Sequence, residues 1–421
     1  MHEAGFETYW VGGCVRDHLL SIEPLDYDIA TAATPDEILK ILPRANKVGK
    51  AFGVILVKGR AGFNEIATFR QDGPYSDGRR PDWIKFSDAE QDVRRRDFTV
   101  NGMLFDPKHE RVIDFVGGQK DLENKTIRAI GNPRLRFEED YLRLLRCIRF
   151  TVRLGFEIET ETYQALCDSA PKIARIASER ITGELLQILT GPDSERGLRL
   201  LSDSGLLKEF LPEVENMRDV EQDAAMHPEG DVFEHTCLVL KQLQKPDETL
   251  ALAALLHDVG KPATQVFAPD RIRFHGHAEK SAEMAEGICR RLRIGNKQSE
   301  LVCELIKNHM RFKDFPQMRK ATRLRFFALE GFERHLELHR ADRMSADRDT
   351  STYEQAKLEY ESLSQKEISP PPLISGKDII KLGIKPGPQV GQILDKIRES
   401  QLEGTISSRE EALDLARGII G

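Results

Sequence analysis

The run Tyr9-Trp10-Val11-Gly12-Gly13-Cys14-Val15-Arg16-Asp17, followed by Leu25-Asp26-Tyr27-Asp28-Ile29, decides how the fold is read. Tyr9–Val11 has strand character, Gly12-Gly13 breaks it, and a helix is expected from about Val15. In a second strand, the period of two puts Asp26 and Asp28 on one face, with Tyr27 and Ile29 on the other. Two carboxylates held a few ångströms apart repel, and a divalent cation removes that cost. Magnesium takes one or two carboxylates, water and substrate phosphates, which is the ligand set such a pair leaves open. Alone, Asp-x-Asp also reads as a solvated strand end, and Gly-Gly as a plain turn. Here they stand together: the glycines let backbone N–H groups approach a phosphate at a helix start, and Arg16 lies in the first turn.

Further along, Ala51–Lys58 and Phe63–Phe69 read as strands joined by the hairpin signal Gly59-Arg60-Ala61-Gly62, and Arg111–Val116 reads as another. Glu65 could bring a third carboxylate beside the pair. The expected architecture is α+β: a small mixed sheet with helices on one side over residues 1–116, followed by all-helical parts. From Phe137 to about Leu211 the period becomes helical. Phe137, Tyr141, Leu144, Leu145 and Ile148 recur at three and four and should share one buried helical face. These assignments give domains 1–116, 117–215, 228–350 and 368–421, the last behind the linker signal Ile368-Ser369-Pro370-Pro371-Pro372.

A chain of 421 residues has room for two to four domains. With 40% hydrophobic and 31% charged residues it is neither disordered, collagenous nor membrane-embedded in composition. Its longest apolar run, Leu250–Leu256, is far below the roughly 18 residues of a membrane span. The beginning Met1-His2-Glu3-Ala4 lacks a secretory pattern, so a soluble cytoplasmic protein with no membrane partner is expected. The six cysteines form no Cys-x-x-Cys pair and read as reduced thiols. The net charge of −7 argues against a generally basic nucleic-acid binder, but residues 201–250 carry −8 of it. Residues 51–150 and 251–350 are net positive, which leaves room for basic faces.

Arg94-Arg95-Arg96-Asp97-Phe98-Thr99-Val100-Asn101 supplies cations and hydrogen-bonding groups suited to phosphate and ribose. With this third element, Val11–Asp17, Asp26–Thr31 and Arg95–Gly102 resemble, in order and spacing, the head motifs of class II tRNA nucleotidyltransferases, the CCA-adding enzymes, and of the related bacterial poly(A) polymerases. Gly102 stands where that family usually has alanine, an exchange of one small residue for another. The family also usually has a helix before the first strand, and its absence here suggests a truncated or mis-assigned start. The resemblance implies a nucleotidyltransferase palm in which Asp26, Asp28 and Glu65 are catalytic and the two aspartates hold Mg²⁺. It further implies nucleotide contacts from Gly12, Gly13, Arg16, Arg96, Asp97 and Asn101.

Glu139-Asp140-Tyr141-Leu142-Arg143 resembles the family's Glu-Asp-x-x-Arg motif, and its chemistry also follows from the residues. On a helix, Asp140 and Arg143 at i and i+3 are neighbours, so a carboxylate acceptor stands beside a guanidinium donor. Cytosine and adenine each show an amino donor beside a ring-nitrogen acceptor, which matches. Uracil and guanine put a carbonyl where the amino group should be, and mispaired buried groups make rejection strong. CTP and ATP could thus be selected without a nucleic-acid template, or the pair could be an ordinary surface ion pair. By resemblance Arg146 and Arg149 contact the base or triphosphate. Ser178-Glu179-Arg180 and the residues after it look like a neck motif that braces helices. The Gly- and Pro-rich segment Asp72–Asp82 resembles the loop needed to switch from C to A addition, which disfavours a CC-only enzyme.

Eight of the eleven histidines lie between His227 and His339. His235, the dyad His257-Asp258 and the distant Asp342 resemble the HD superfamily of metal-dependent phosphohydrolases, and His277 and His309 could serve a second ion. Imidazole with carboxylate suits a transition metal. The combined expectation is an enzyme that adds CMP and AMP to the 3′ end of tRNA or another RNA with two Mg²⁺ ions, with a second divalent metal and phosphohydrolase activity as a secondary feature. Rival readings are a poly(A) polymerase, an A-adding enzyme working with a separate CC-adding enzyme, an HD phosphohydrolase whose head only binds nucleotide or RNA, and a nucleotide-sensing regulator.

Overall fold

Alternating apolar residues in the first hundred positions build one sheet in the computed structural model, which describes residues 1–24, 26–46, 53–58, 63–75, 81–223 and 227–420. Its strands are β1 (Thr8–Val11), β2 (Asp28–Thr31), β3 (Val54–Lys58), β4 (Phe63–Thr68), β7 (Met103–Asp106) and β8 (Arg111–Asp114), in the order β3-β4-β2-β1-β7-β8. β5 (Arg70–Asp72) and β6 (Ile84–Phe86) form a separate hairpin. Only β2 and β4 run parallel; the other pairs in the six-stranded sheet are antiparallel, so the sheet is mixed as expected. The expected turn 59–62, Leu25, residues 51–52 and residues 76–80 of the Asp72–Asp82 loop lie outside the described residues.

Two details differ from the sequence reading. Helices cover both faces of the sheet, because both faces are apolar. Tyr9, Val11, Ala30 and Leu104 pack with Ala89 and Val93 of α3 (Ala89–Arg94), whereas Ile29, Ile55 and Ile66 on the opposite face pack with Ile38 of α2 (Pro35–Ile41). A capping box of Thr34 and Glu37, with Pro35 at the first position, fixes the start of α2. Second, the helical run beginning near Phe137 is broken. α5 (Pro133–Glu139) ends where Asp140 turns extended at φ −152°, and α6 (Leu142–Leu154) follows until Gly155 caps it at φ 66°. Phe137, Tyr141, Leu144, Leu145 and Ile148 are all buried. A break that keeps its apolar residues inward leaves the three/four periodicity intact and is invisible to it.

Contacts divide the chain into Met1–Asn216 with Ile288–Ile294, and Met217–Gly287 with Gly295–Gly421. The first unit holds the sheet and α1 (Gly13–Leu19), α4 (Gly118–Glu123), α5, α6, α7 (Thr160–Ser169) and α8 (Ser178–Leu189). The second is helical apart from a short hairpin of Val266–Phe267 and Ile272–Arg273. Its last three helices, Gly376–Lys381, Pro388–Glu403 and Arg409–Ile420, bury their own cluster of Ile379, Ile393, Ile397, Ala412 and Ala416. Among the described residues, no helix is long and apolar enough to cross a membrane. All six cysteines are free thiols.

Candidate active site

Strand register brings two of the three carboxylates together. Ile29 pairs with Ile66 in the parallel ladder, so the preceding residues, Asp28 and Glu65, lie level on adjacent strands and on one face. Asp26 is placed just before β2, so the strand expected at Leu25–Ile29 starts later, at Asp28, and runs on to Thr31. Burial, then the charges of Asp26 and Glu65, push the Asp28 carboxyl up to about 6 against the pull of Arg96. Three acids crowded so that one resists ionisation suit a divalent cation, whose charge removes the repulsion.

Gly12 lies against this site. Its φ of 75° is a left-handed conformation, and a β-carbon there would meet Arg96 Nη1 at 3.3 Å and Asp28 Oδ2 at 3.9 Å. The helix α1 begins at Gly13, two residues earlier than expected. Arg96 is held by Asp92 at 3.1 Å, and its Nε is buried without a partner. Arg16 is 2% exposed and is engaged internally: it donates to Asp17 at 2.8 Å and to Asn101 at 2.6 Å. Asp97 is buried, which disfavours its charge, but Arg146 and Arg143 outweigh burial and hold it at about 2. Arg146 Nε donates to it at 2.9 Å.

The base-selecting pair is arranged otherwise than a shared helix predicts. With Asp140 extended, the Arg143 guanidinium does not pair with its carboxylate, although the Arg143 amide donates to the Asp140 carbonyl at 3.0 Å. Asp140 accepts from Arg180 Nη2 at 2.6 Å, from Arg180 Nη1 at 3.2 Å and from the Leu142 amide at 3.0 Å. Arg143 donates to Glu139, to the Arg136 carbonyl at 2.7 Å and to the Arg95 carbonyl at 3.1 Å. Arg149 is buried against Glu184 at 2.5 Å and Gln187 at 3.1 Å, and its guanidinium lies 4.3 Å from the Phe150 ring centre. The guanidiniums of Arg16 and Arg149 are thus committed to internal partners. Sequence reasoning missed Asp92 and gave Glu184 no ion-pair role. Asp92 was findable, since Arg95 and Arg96 follow it at i+3 and i+4; the 35-residue gap between Arg149 and Glu184 carries no such signal.

In the second unit the expected histidines and acids do converge. His235 Nε2 lies 2.9 Å from Asp342 and 3.8 Å from Asp258, while Nδ1 meets Glu229 at 2.7 Å. Burial disfavours the His235 imidazolium, but Asp342 and Glu229 outweigh it and raise its pKa to about 9. His257, His277 and His309 each direct Nδ1 at a backbone carbonyl, of Ala254, Phe274 and Ile306. That fixes the tautomer and turns each Nε2 lone pair inward. His277 Nε2 and His309 Nε2 then face each other at 3.3 Å, 3.5 and 3.9 Å from Asp258 Oδ1, which has no hydrogen-bond partner; neither has His257 Nε2. Opposed lone pairs and orphaned buried ligand atoms fit a divalent metal. Among the described residues, groups whose ligand atoms lie within 4.8 Å of one another are His227–Glu229–His235, His235–His257–Asp258 and Asp258–His277–His309. Glu229 was not anticipated. The group opens on a cavity of about 500 Å³ rimmed by Lys261, Arg271, Lys313 and Arg343.

Three family models match the chain: the poly A polymerase head domain over residues 8–128, the probable RNA and SrmB-binding site of polymerase A over 155–218, and the HD domain over 231–347. A CCA-adding enzyme of Lactococcus lactis is 32% identical over 420 residues, 98% of this chain and 93% of that one. An A-adding tRNA nucleotidyltransferase of Deinococcus radiodurans is 35% identical over 428 residues, covering 96% and 93%. Against CCA-adding enzymes of 40% and 42% identity, the match spans about half of their length, 56% and 52%. The solved structure of the Bacillus stearothermophilus CCA-adding enzyme in complex with CTP is similar at a TM-score of 0.75 and 26% identity, covering 100% of this chain and 95% of that one.

Proposed function

Since the chain belongs to the family of the CCA-adding tRNA nucleotidyltransferases, as its near-full-length relatives establish, we propose that it extends the 3′ end of tRNA with CMP and AMP drawn from CTP and ATP, in the cytoplasm. The observation that carries this is the crowding of Asp28 by Asp26 and Glu65 above the Gly12 turn. Asp26 and Asp28, assisted by Glu65, are the residues that would hold two magnesium ions. Bound there, the ions supply positive charge against the triphosphate and the attacking hydroxyl. The protein's own part is positioning and charge. Arg96 and the backbone at Gly12 and Gly13 receive the phosphates, and Asp97 and Asn101 place the sugar. Asp140 and Arg143 read the base edge, Arg146 ties the neck to Asp97, and Arg16 and Arg149 hold these groups in place from below.

A second reading, an A-adding enzyme that depends on a separate CC-adding enzyme, is favoured by the likeness to the Deinococcus radiodurans protein. For the second unit we propose one divalent metal at His235, His257, Asp258 and Asp342, with His277 and His309 available to a second ion. A phosphate-ester hydrolase is the activity this group suits. The main reading is tested by Asp28→Ala: nucleotide incorporation into tRNA should vanish while the folded structure persists, and full activity would refute it.

A further inference from the structure

Resting on the reading that Asp140 and Arg143 face the base, we infer that Arg180 is the specificity-determining positioning residue of this site. A carboxylate beside a guanidinium does not by itself exclude uracil. The N3–H of uracil is a donor that a carboxylate accepts, and its O2, one atom further along the edge, is an acceptor that a guanidinium serves. Moved by about one atom along the base edge, the same two side chains would recognise UTP as well as they recognise CTP. Selection therefore depends on where the carboxylate is held rather than on its being present.

The structure holds it from both sides. Oδ1 of Asp140 accepts from the Leu142 amide at 3.0 Å and from Arg180 Nη1 at 3.2 Å, and Oδ2 accepts from Arg180 Nη2 at 2.6 Å. The forked guanidinium fixes the plane of the carboxylate, which a single contact would leave free to rotate. Asp140 needs such a clamp because it lies in the extended break between α5 and α6, where no helical backbone determines its direction. Arg180 arrives from α8, 40 residues away, at 23% side-chain exposure. Arg143 is fixed separately by Glu139 and two carbonyls, so loss of Arg180 releases only one member of the pair.

The test compares wild type with Arg180→Lys, Arg180→Met and Asp140→Ala. For each, kcat/KM is measured for CTP and UTP on a tRNA transcript lacking CCA, with thermal melting alongside. Arg180→Met should lower the CTP-to-UTP ratio about tenfold or more. Arg180→Lys, which restores charge without the fork, should recover less than half of that loss on a logarithmic scale. A purely structural role would lower both rates together and leave the ratio unchanged, which would overturn the inference. If Asp140→Ala changes the ratio and neither Arg180 variant does, the inference alone fails. If Asp140→Ala leaves the ratio at the wild-type value, the base-reading assignment fails with it.

Discussion

Replacing Asp28 with asparagine should make the metal-free protein more stable while destroying its activity. The folded protein holds the Asp28 carboxyl at about 6, against an ordinary value of 3.8, first by burial and then by the charges of Asp26 and Glu65. A group whose folded pKa is raised binds its proton more tightly folded than unfolded. Its ionisation therefore costs stability as pH rises through the window from about 3.8 to about 6. Two pK units correspond to roughly 3 kcal/mol, and because the side chain is partly exposed, solvent screening reduces this to about 1–2 kcal/mol. For a unit of this size that is a rise of roughly 3–6 °C in Tm. The assay is thermal melting in chelator at several pH values. The Asp28→Asn advantage should be near zero at about pH 3.5 and reach its full size above pH 6. Added magnesium should narrow it by stabilising only the wild type. An asparagine variant no more stable than wild type at neutral pH, or a gap that does not change with pH, would refute the reasoning.

Three further outcomes follow from the geometry. Glu184→Ala leaves the buried Arg149 without its charge partner and should destabilise the protein by about 3–5 kcal/mol, read as a lower denaturation midpoint at unchanged m-value. Gly12→Ala places a methyl 3.3 Å from Arg96 on a backbone at φ 75°, and should raise KM for the nucleotide together with a loss of about 1–3 kcal/mol of stability; steady-state kinetics showing an unaltered KM would contradict it. Glu229→Gln weakens the acceptor that orients His235 Nδ1 and should lower divalent-metal affinity of the second unit by about 10–100-fold in calorimetric titration, while nucleotide incorporation continues.

Much of the site was legible because it is built from local spacings. Asp28, Glu65 and the Gly12 turn follow from strand alternation and a glycine break, whereas the histidine group is implied by the resemblance to the HD superfamily. What remained hidden depends on distant partners. No periodicity distinguishes an unbroken helix from one interrupted at Asp140, since Phe137 and Tyr141 are buried either way. The assumed neighbour of Asp140 was the arginine three residues on, yet its partner stands 40 residues later on another helix. The family resemblance implied that Arg16 contacts the nucleotide and Arg149 the base or triphosphate. Only packing reveals that their charges are spent on Asp17, Asn101 and Glu184.

The crowded carboxylates and the Asp140–Arg143 pair together should build a site that completes a CCA end. The most direct measurement is the length of product made from two tRNA transcripts, one ending just before CCA and one ending after CC, incubated with single nucleotides and with CTP plus ATP. Three added residues on the first transcript and one on the second, with UTP and GTP inert, is the predicted result. Extension of the CC-ended transcript alone, or a long run of added A, would contradict CCA addition by this chain.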